Sequence, residues 1–184
     1  MTRNILYSIC ILFIVISCKK EQDPFEISKR HVGPLTDSTL VKDIEWVFKT
    51  DSVVKRVGGD EFTGNKNQIE IYEKGGKHLL SLTPSQALDS VSVIETVQIM
   101  DERFKTDKNI SALSTFKDIS DNYKISRIDN LINSIVVTVN SINASFTIDK
   151  KELPPNLRFD MDLNIEATHI PDKAKVKYFF INWH

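Results

Sequence analysis

Ile135-Val136-Val137-Thr138-Val139-Asn140-Ser141-Ile142-Asn143-Ala144-Ser145-Phe146-Thr147-Ile148 reads as two strands about a turn. β-Branched and aromatic residues fill both arms, and the polar Ser141-Ile142-Asn143 segment separates them. Similar signals recur outward from this hairpin. Residues 69–72 and 78–82 flank Gly75-Gly76, a second hairpin. Residues 92–100, 52–57 and 123–128 read as further strands. The most regular alternation runs from Phe159 to Thr168, where Phe159, Met161, Leu163, Ile165 and Ala167 alternate with polar residues. Lys173, Lys175 and Lys177 alternate with Ala174, Val176 and Tyr178, and the strand continues through Trp183. With a turn over 169–172, these two segments predict a C-terminal hairpin over 156–183, acidic positions on one strand facing Lys on the other.

Helical signals are fewer. Residues 39–48 put Leu40, Ile44, Val47 and Phe48 on one stripe, with Asp37 or Ser38 available as N-cap. Residues 114–120 form a shorter candidate with Phe116 and Ile119. The two starts are alike. Ser38-Thr39-Leu40-Val41-Lys42-Asp43-Ile44 matches Ser114-Thr115-Phe116-Lys117-Asp118-Ile119, and each is followed by a strand and a hairpin. The expected fold is α+β: a mainly antiparallel twisted β-sheet with two short helices on one face. A helix-strand-hairpin unit would occur twice, over 26–90 and 91–150, with the C-terminal hairpin appended.

Composition bounds the function classes. The chain has 184 residues, enough for one domain over 26–184. Apolar residues are 41% and charged residues 27%, ordinary for a folded protein. Lys and Arg total 24 against 25 Asp and Glu, so no basic excess is available for a phosphate backbone and nucleic-acid binding is not expected.

The N-terminus reads as an address. Arg3 precedes an apolar run over 5–17 that is shorter than the ~20 residues a membrane span needs. The run ends Val15-Ile16-Ser17-Cys18, which resembles a bacterial lipobox. That resemblance implies a signal peptide over 1–17, cleavage after Ser17 and lipidation of Cys18, with 18–25 as lipidated Cys and tether. Two or three acyl chains anchor stably where one does not. Cys10 would be discarded and Cys18 consumed, so neither a disulfide framework nor a Cys nucleophile is expected. Lys20-Glu21 with Asp23 resembles the export signal of Bacteroidota-type surface lipoproteins, and no Asp follows Cys18 to retain it at the inner membrane. Val32-Gly33-Pro34-Leu35-Thr36 before the Thr39-led helix resembles the sigma-E-regulated lipoprotein family of unknown function, and also small outer-membrane assembly lipoproteins with a helix-on-sheet module. These resemblances imply architecture and an envelope location, and carry no catalytic residues.

Local motifs for chemistry are missing. His31, His78, His169 and His184 show no zinc spacing, and no P-loop or nucleophile elbow occurs. Asp160-Met161-Asp162-Leu163-Asn164 begins like a calcium loop but has Ile165 where Gly is needed and Pro171 where Glu is needed. No metal or cofactor is therefore expected. Trp46 and Trp183 read as core aromatics. Phe179-Phe180 places rings on both faces of one strand, either buried on both sides or forming a partner patch. The polar loop 58–68 is long for a compact domain, which points to Asp60, Glu61, Phe62 and Asn65 as a partner-binding surface. The expected role is a non-enzymatic binding or assembly lipoprotein, anchored to the outer membrane through Cys18 and meeting an envelope protein. The alternatives are a lipoprotein holding an apolar small ligand between helices and sheet, or an envelope enzyme with a dispersed active site.

Overall fold

A computed structural model describes residues 23–56 and 67–183. Three short strands come first, β1 (Glu26–Ile27), β2 (His31–Val32) and β3 (Leu35–Thr36). A 3-10 turn over Val41–Asp43 then runs into α1 (Ile44–Val47). Four strands follow: β4 (Ser52–Arg56), β5 (Gln68–Tyr72), β6 (His78–Pro84) and β7 (Ile94–Ile99). After β8 (Lys105–Thr106) and α2 (Phe116–Asn122) come four more: β9 (Arg127–Asn130), β10 (Ser134–Val139), β11 (Ala144–Asp149) and β12 (Val176–Asn182).

The main sheet has eight antiparallel strands in the order β4-β5-β6-β7-β12-β11-β10-β9. Each half is a short helix followed by a four-stranded meander, and the halves meet where β7 pairs with β12. The same local contact opens both. Leu40, just before the first helical turn, bridges Val93, just before β7; Thr115, just before α2, bridges Lys175, just before β12. A second sheet of four short strands, β3-β2-β1-β8, includes the parallel pair β1–β8.

One face of the large sheet carries the core. The β10–β11 hairpin alternates as its sequence requires: Ile135, Val137, Val139, Ala144, Phe146 and Ile148 are fully buried and the intervening residues are not. Asn143 turns this hairpin with φ of 54°. Phe104, Phe146 and Phe179 are the largest fully buried side chains, and the last two stack at 4.6 Å. Ile44 and Phe48 from the first helix and Phe116 and Ile119 from α2 close over that face.

The helix starts differ from expectation in part. Neither Asp37 nor Ser38 caps the first helix: its 3-10 turn has Leu40 as N-cap with no side-chain bond. The Thr39 hydroxyl instead accepts from Thr36 N–H at 3.0 Å, inside the preceding loop. At α2, Thr115 caps with a reciprocal box to Asp118.

Two further expectations are corrected. There is no C-terminal hairpin over 156–183. β12 is a single strand, and residues 150–175 form an excursion of bends and 3-10 turns. β12 already bonds β11 on one side and β7 on the other, so Phe159–Thr168 has no free edge beside it. Within that segment Phe159 is 87% exposed and only Ile165 is deeply buried. Asn130, at the end of edge strand β9, holds the loop through Nδ2, which donates to the carbonyls of Asp160 and Leu163 at 3.0 Å. Trp46 is likewise no core residue, being 76% exposed. It lies on the far side of a one-turn helix whose Ile44 faces inward. Trp183 is buried, and its Nε1 donates to the Lys29 carbonyl at 3.1 Å.

Candidate functional site

Strand alternation leaves the second face of the sheet without a core layer of its own. One register row crosses all eight strands there: Val54, Glu70, Ser81, Gln98, Phe180, Ser145, Thr138 and Arg127. Phe179 is fully buried on the core side, while Phe180 is half-buried in this polar row. The doublet therefore does not bury both rings.

Glu70 is the chemically distinctive member of the row. It is a buried carboxylate, and both of its oxygens are occupied. His78 Nε2 donates to Oε2 at 2.6 Å, and the Ser81 hydroxyl donates to Oε1 at 3.2 Å. The His78 ring stacks on Tyr72 at 4.5 Å, which fixes its plane. The carboxylate lies between Ser and His. An activated serine needs the imidazole between hydroxyl and carboxylate, so this order does not prime Ser81 as a nucleophile. It does fix a polar surface with an aromatic flank. Sequence reasoning missed Glu70 because Ile69-Glu70-Ile71-Tyr72 reads as an ordinary alternating strand.

Asp60, Glu61, Phe62 and Asn65 lie outside the described residues, as do Cys18 and the whole signal and tether region through Gln22. The roots of the long loop are described. Arg56 ends β4 and Asn67 precedes β5, and beside them opens a cleft of about 220 Å³. Ile69, Val41, Pro84 and Leu88 supply its apolar wall, with Lys55 and Gln68 at the margin. Leu88 is 75% exposed and sits at φ 64°, a conformation a non-glycine residue rarely holds.

A charged network holds the N-terminal segment. Asp101 is fully buried and receives Arg103 Nη2 at 2.7 Å and the Arg103 backbone N–H at 2.9 Å. Lys77 Nζ lies 3.0 Å from the same carboxylate. Burial pushes the Asp101 carboxyl up, but these side-chain and backbone hydrogen bonds together outweigh it and bring the pKa to about 2. Arg103 also reaches Glu73 with two N–H groups at 2.9 and 3.1 Å. Gly33 completes the arrangement: at φ +53° it lets the chain pass Pro24, where an added Cβ would stand 2.3 Å from the carbonyl oxygen.

Among the described residues, no group of three or more His, Cys, Asp or Glu side chains is placed to hold a metal. Asp160 and Asp162, from the calcium-like stretch, are exposed, and Asp160 Oδ1 accepts the Asp162 N–H at 3.0 Å in a local turn. No described helix is long and apolar enough to cross a membrane.

No protein-family model matches this chain, and no curated protein matches it. Among solved structures it is similar to the crystal structure of the uncharacterized protein yfeY from Escherichia coli. The TM-score is 0.55 at 14% identity, covering 85% of this chain and 99% of that one. Agreement over nearly the whole of the other chain at such low identity shows a shared fold.

Proposed function

We propose that this chain is an envelope lipoprotein, anchored to the outer membrane through Cys18, that works as a non-enzymatic binding or assembly module. The supporting observation is the cleft of about 220 Å³ at the root of loop 58–68. Arg56 and Asn67 line this cleft together with its apolar wall, and the sequence between them carries Asp60, Glu61, Phe62 and Asn65, a combination suited to a protein partner. The lipobox-like Val15-Ile16-Ser17-Cys18 and the segment resembling sigma-E-regulated lipoproteins support the address. The ligand-binding alternative rests on a different observation, a cavity of about 350 Å³ lined by Val47 and Phe48 beside the first helix and by Leu79 and Phe104. The test is in-cell crosslinking of a C-terminally tagged full chain, with mass spectrometry of what copurifies. A recurrent envelope protein that disappears when 58–68 is replaced by a short linker supports the reading. Capture that is unchanged by the replacement moves the surface elsewhere and removes the basis for this role of the loop.

A further inference from the structure

A second cavity, of about 500 Å³, lies where β11 ends and β12 begins. That volume falls in the range of small-ligand sites. Its walls carry four cations, Lys150, Lys151, Arg158 and Lys177, and one acid, Asp149. Asp149 is committed: it bonds Lys177 Nζ at 3.2 Å and the Lys151 backbone N–H at 2.9 Å. Asp149 also feels the Lys151 charge, but none of the other three cations forms a direct ion pair with a carboxylate among the described residues. Arg158 donates Nε to the Leu153 carbonyl at 2.8 Å and Nη2 to the Lys151 carbonyl at 3.0 Å, neutral acceptors that orient the guanidinium without cancelling its charge.

Lys150 is the telling residue. It is only 4% exposed, yet its ammonium meets nothing better than the Met161 sulfur at 3.6 Å. Buried lysines are rare unless paired. Here the backbone holds it in place, since Lys150 N–H donates to the Asn133 carbonyl at 3.0 Å. The rim is apolar and open to solvent: Ile132 is 73% and Phe159 87% exposed at the same opening.

We propose that this cavity binds a phosphate monoester. The phosphoryl group would be held by Lys150, Lys151, Arg158 and Lys177, and the organic part would lie against Phe159 and Ile132. Several convergent N–H donors around one dianion are the usual means of holding phosphate, and an exposed aromatic ring gives the ester portion a face to pack on. The ester is either a soluble phosphorylated compound or a lipid headgroup, which share this chemistry. The site lies near Lys177 at the start of β12, whereas Trp183, beyond the other end of that strand, holds Lys29 of the N-terminal segment. It is separate from the loop cleft and does not depend on the role proposed for that loop.

The test uses the full chain in neutral detergent micelles, titrated calorimetrically with phenyl phosphate. Binding is expected, with inorganic phosphate weaker because it leaves Phe159 uncovered. Lys150→Met preserves volume beside Met161, removes the charge, and should weaken phenyl phosphate binding about tenfold. If that variant does not fold, the double substitution of the exposed pair, K151Q with K177Q, carries the same expectation. A second arm compares thermal stability in micelles doped with phosphatidic acid or with phosphatidylcholine. A Lys150-dependent gain with phosphatidic acid alone identifies a lipid headgroup; binding of phenyl phosphate without that gain identifies a soluble ester. The proposal is overturned if neither probe binds, or if the charge-removing variants bind as tightly as the parent.

Discussion

The Arg103 guanidinium lies 4.4 Å over the ring of Phe25 while the same group holds Asp101 and Glu73. One side chain thus joins the N-terminal segment, the end of β5 and the turn after β7. Phe25 also meets Phe104 edge-on at 5.1 Å, so the segment that begins the described chain is clamped from two sides.

Arg103→Met should therefore loosen residues 23–36 first. The stem is retained, but buried Asp101 keeps only Lys77 as a charged partner. Removing a partner of a buried carboxylate is destabilising, because the remaining charge is left under-compensated. Urea unfolding should show that loss, and hydrogen exchange should show the β1–β3 amides losing protection ahead of β10 and β11. Equal protection across all of these strands would contradict the clamp.

Acid should act through Asp101. Its folded-state pKa of about 2 lies below the ordinary 3.8. A depressed carboxyl pKa contributes stability that is complete above the unfolded value and is lost as pH falls through the folded one. The relevant window is therefore from about pH 4 down to about pH 2, and the contribution is about 2 kcal/mol. Denaturation midpoints measured across that window should fall more steeply for the parent than for Asp101→Asn, which starts lower. A D101N curve parallel to the parent would assign the acid sensitivity to other carboxylates.

The adjacent rings Phe179 and Phe180 should differ sharply. Phe179 is fully buried against Phe146 in the central strand, and Phe179→Ala should cost about 3–5 kcal/mol through cavity formation. Phe180 is half-buried on the polar face, so Phe180→Ala should cost roughly 1 kcal/mol. Calorimetric melting of both variants checks this, and equal losses would mean that the outer face is covered.

Cys18→Ala should abolish metabolic labelling with palmitate and release the chain from membranes. Persistent labelling would end the lipoprotein reading. Asp23, the first described residue, is five positions beyond Cys18, a reach of at most about 18 Å. A lipidated Cys18 would accordingly hold the clamped segment, with Pro24 and Phe25, close to the bilayer.

The division between legible and illegible features follows the range of the forces involved. The β5–β6 and β10–β11 hairpins and the inward stripe of Ile44 and Phe48 were readable, because a strand's alternation and a helix's stripe are written in neighbouring residues. The likeness between the Ser38 and Ser114 segments also pointed at a helix-led unit occurring twice, but its bounds of 26–90 and 91–150 put β7 in the second unit and left β12 in an appended hairpin, whereas each closes its own unit as a fourth strand. Phe159–Thr168 shows the limit. Its alternation satisfied the local condition for a strand, but a strand also needs an unpaired edge, and β7 and β11 had already taken both edges of β12. The same holds for the candidate sites. Lys150 in sequence is one charge among many, and Glu70 one polar position in a strand. Burial and partners come from segments far away in the chain: Met161 beside Lys150 and His78 beside Glu70. Periodicity and the lipobox-like N-terminus were thus available residue by residue, whereas strand order, the open polar face and the uncompensated cations arise only when distant segments are brought together and desolvated.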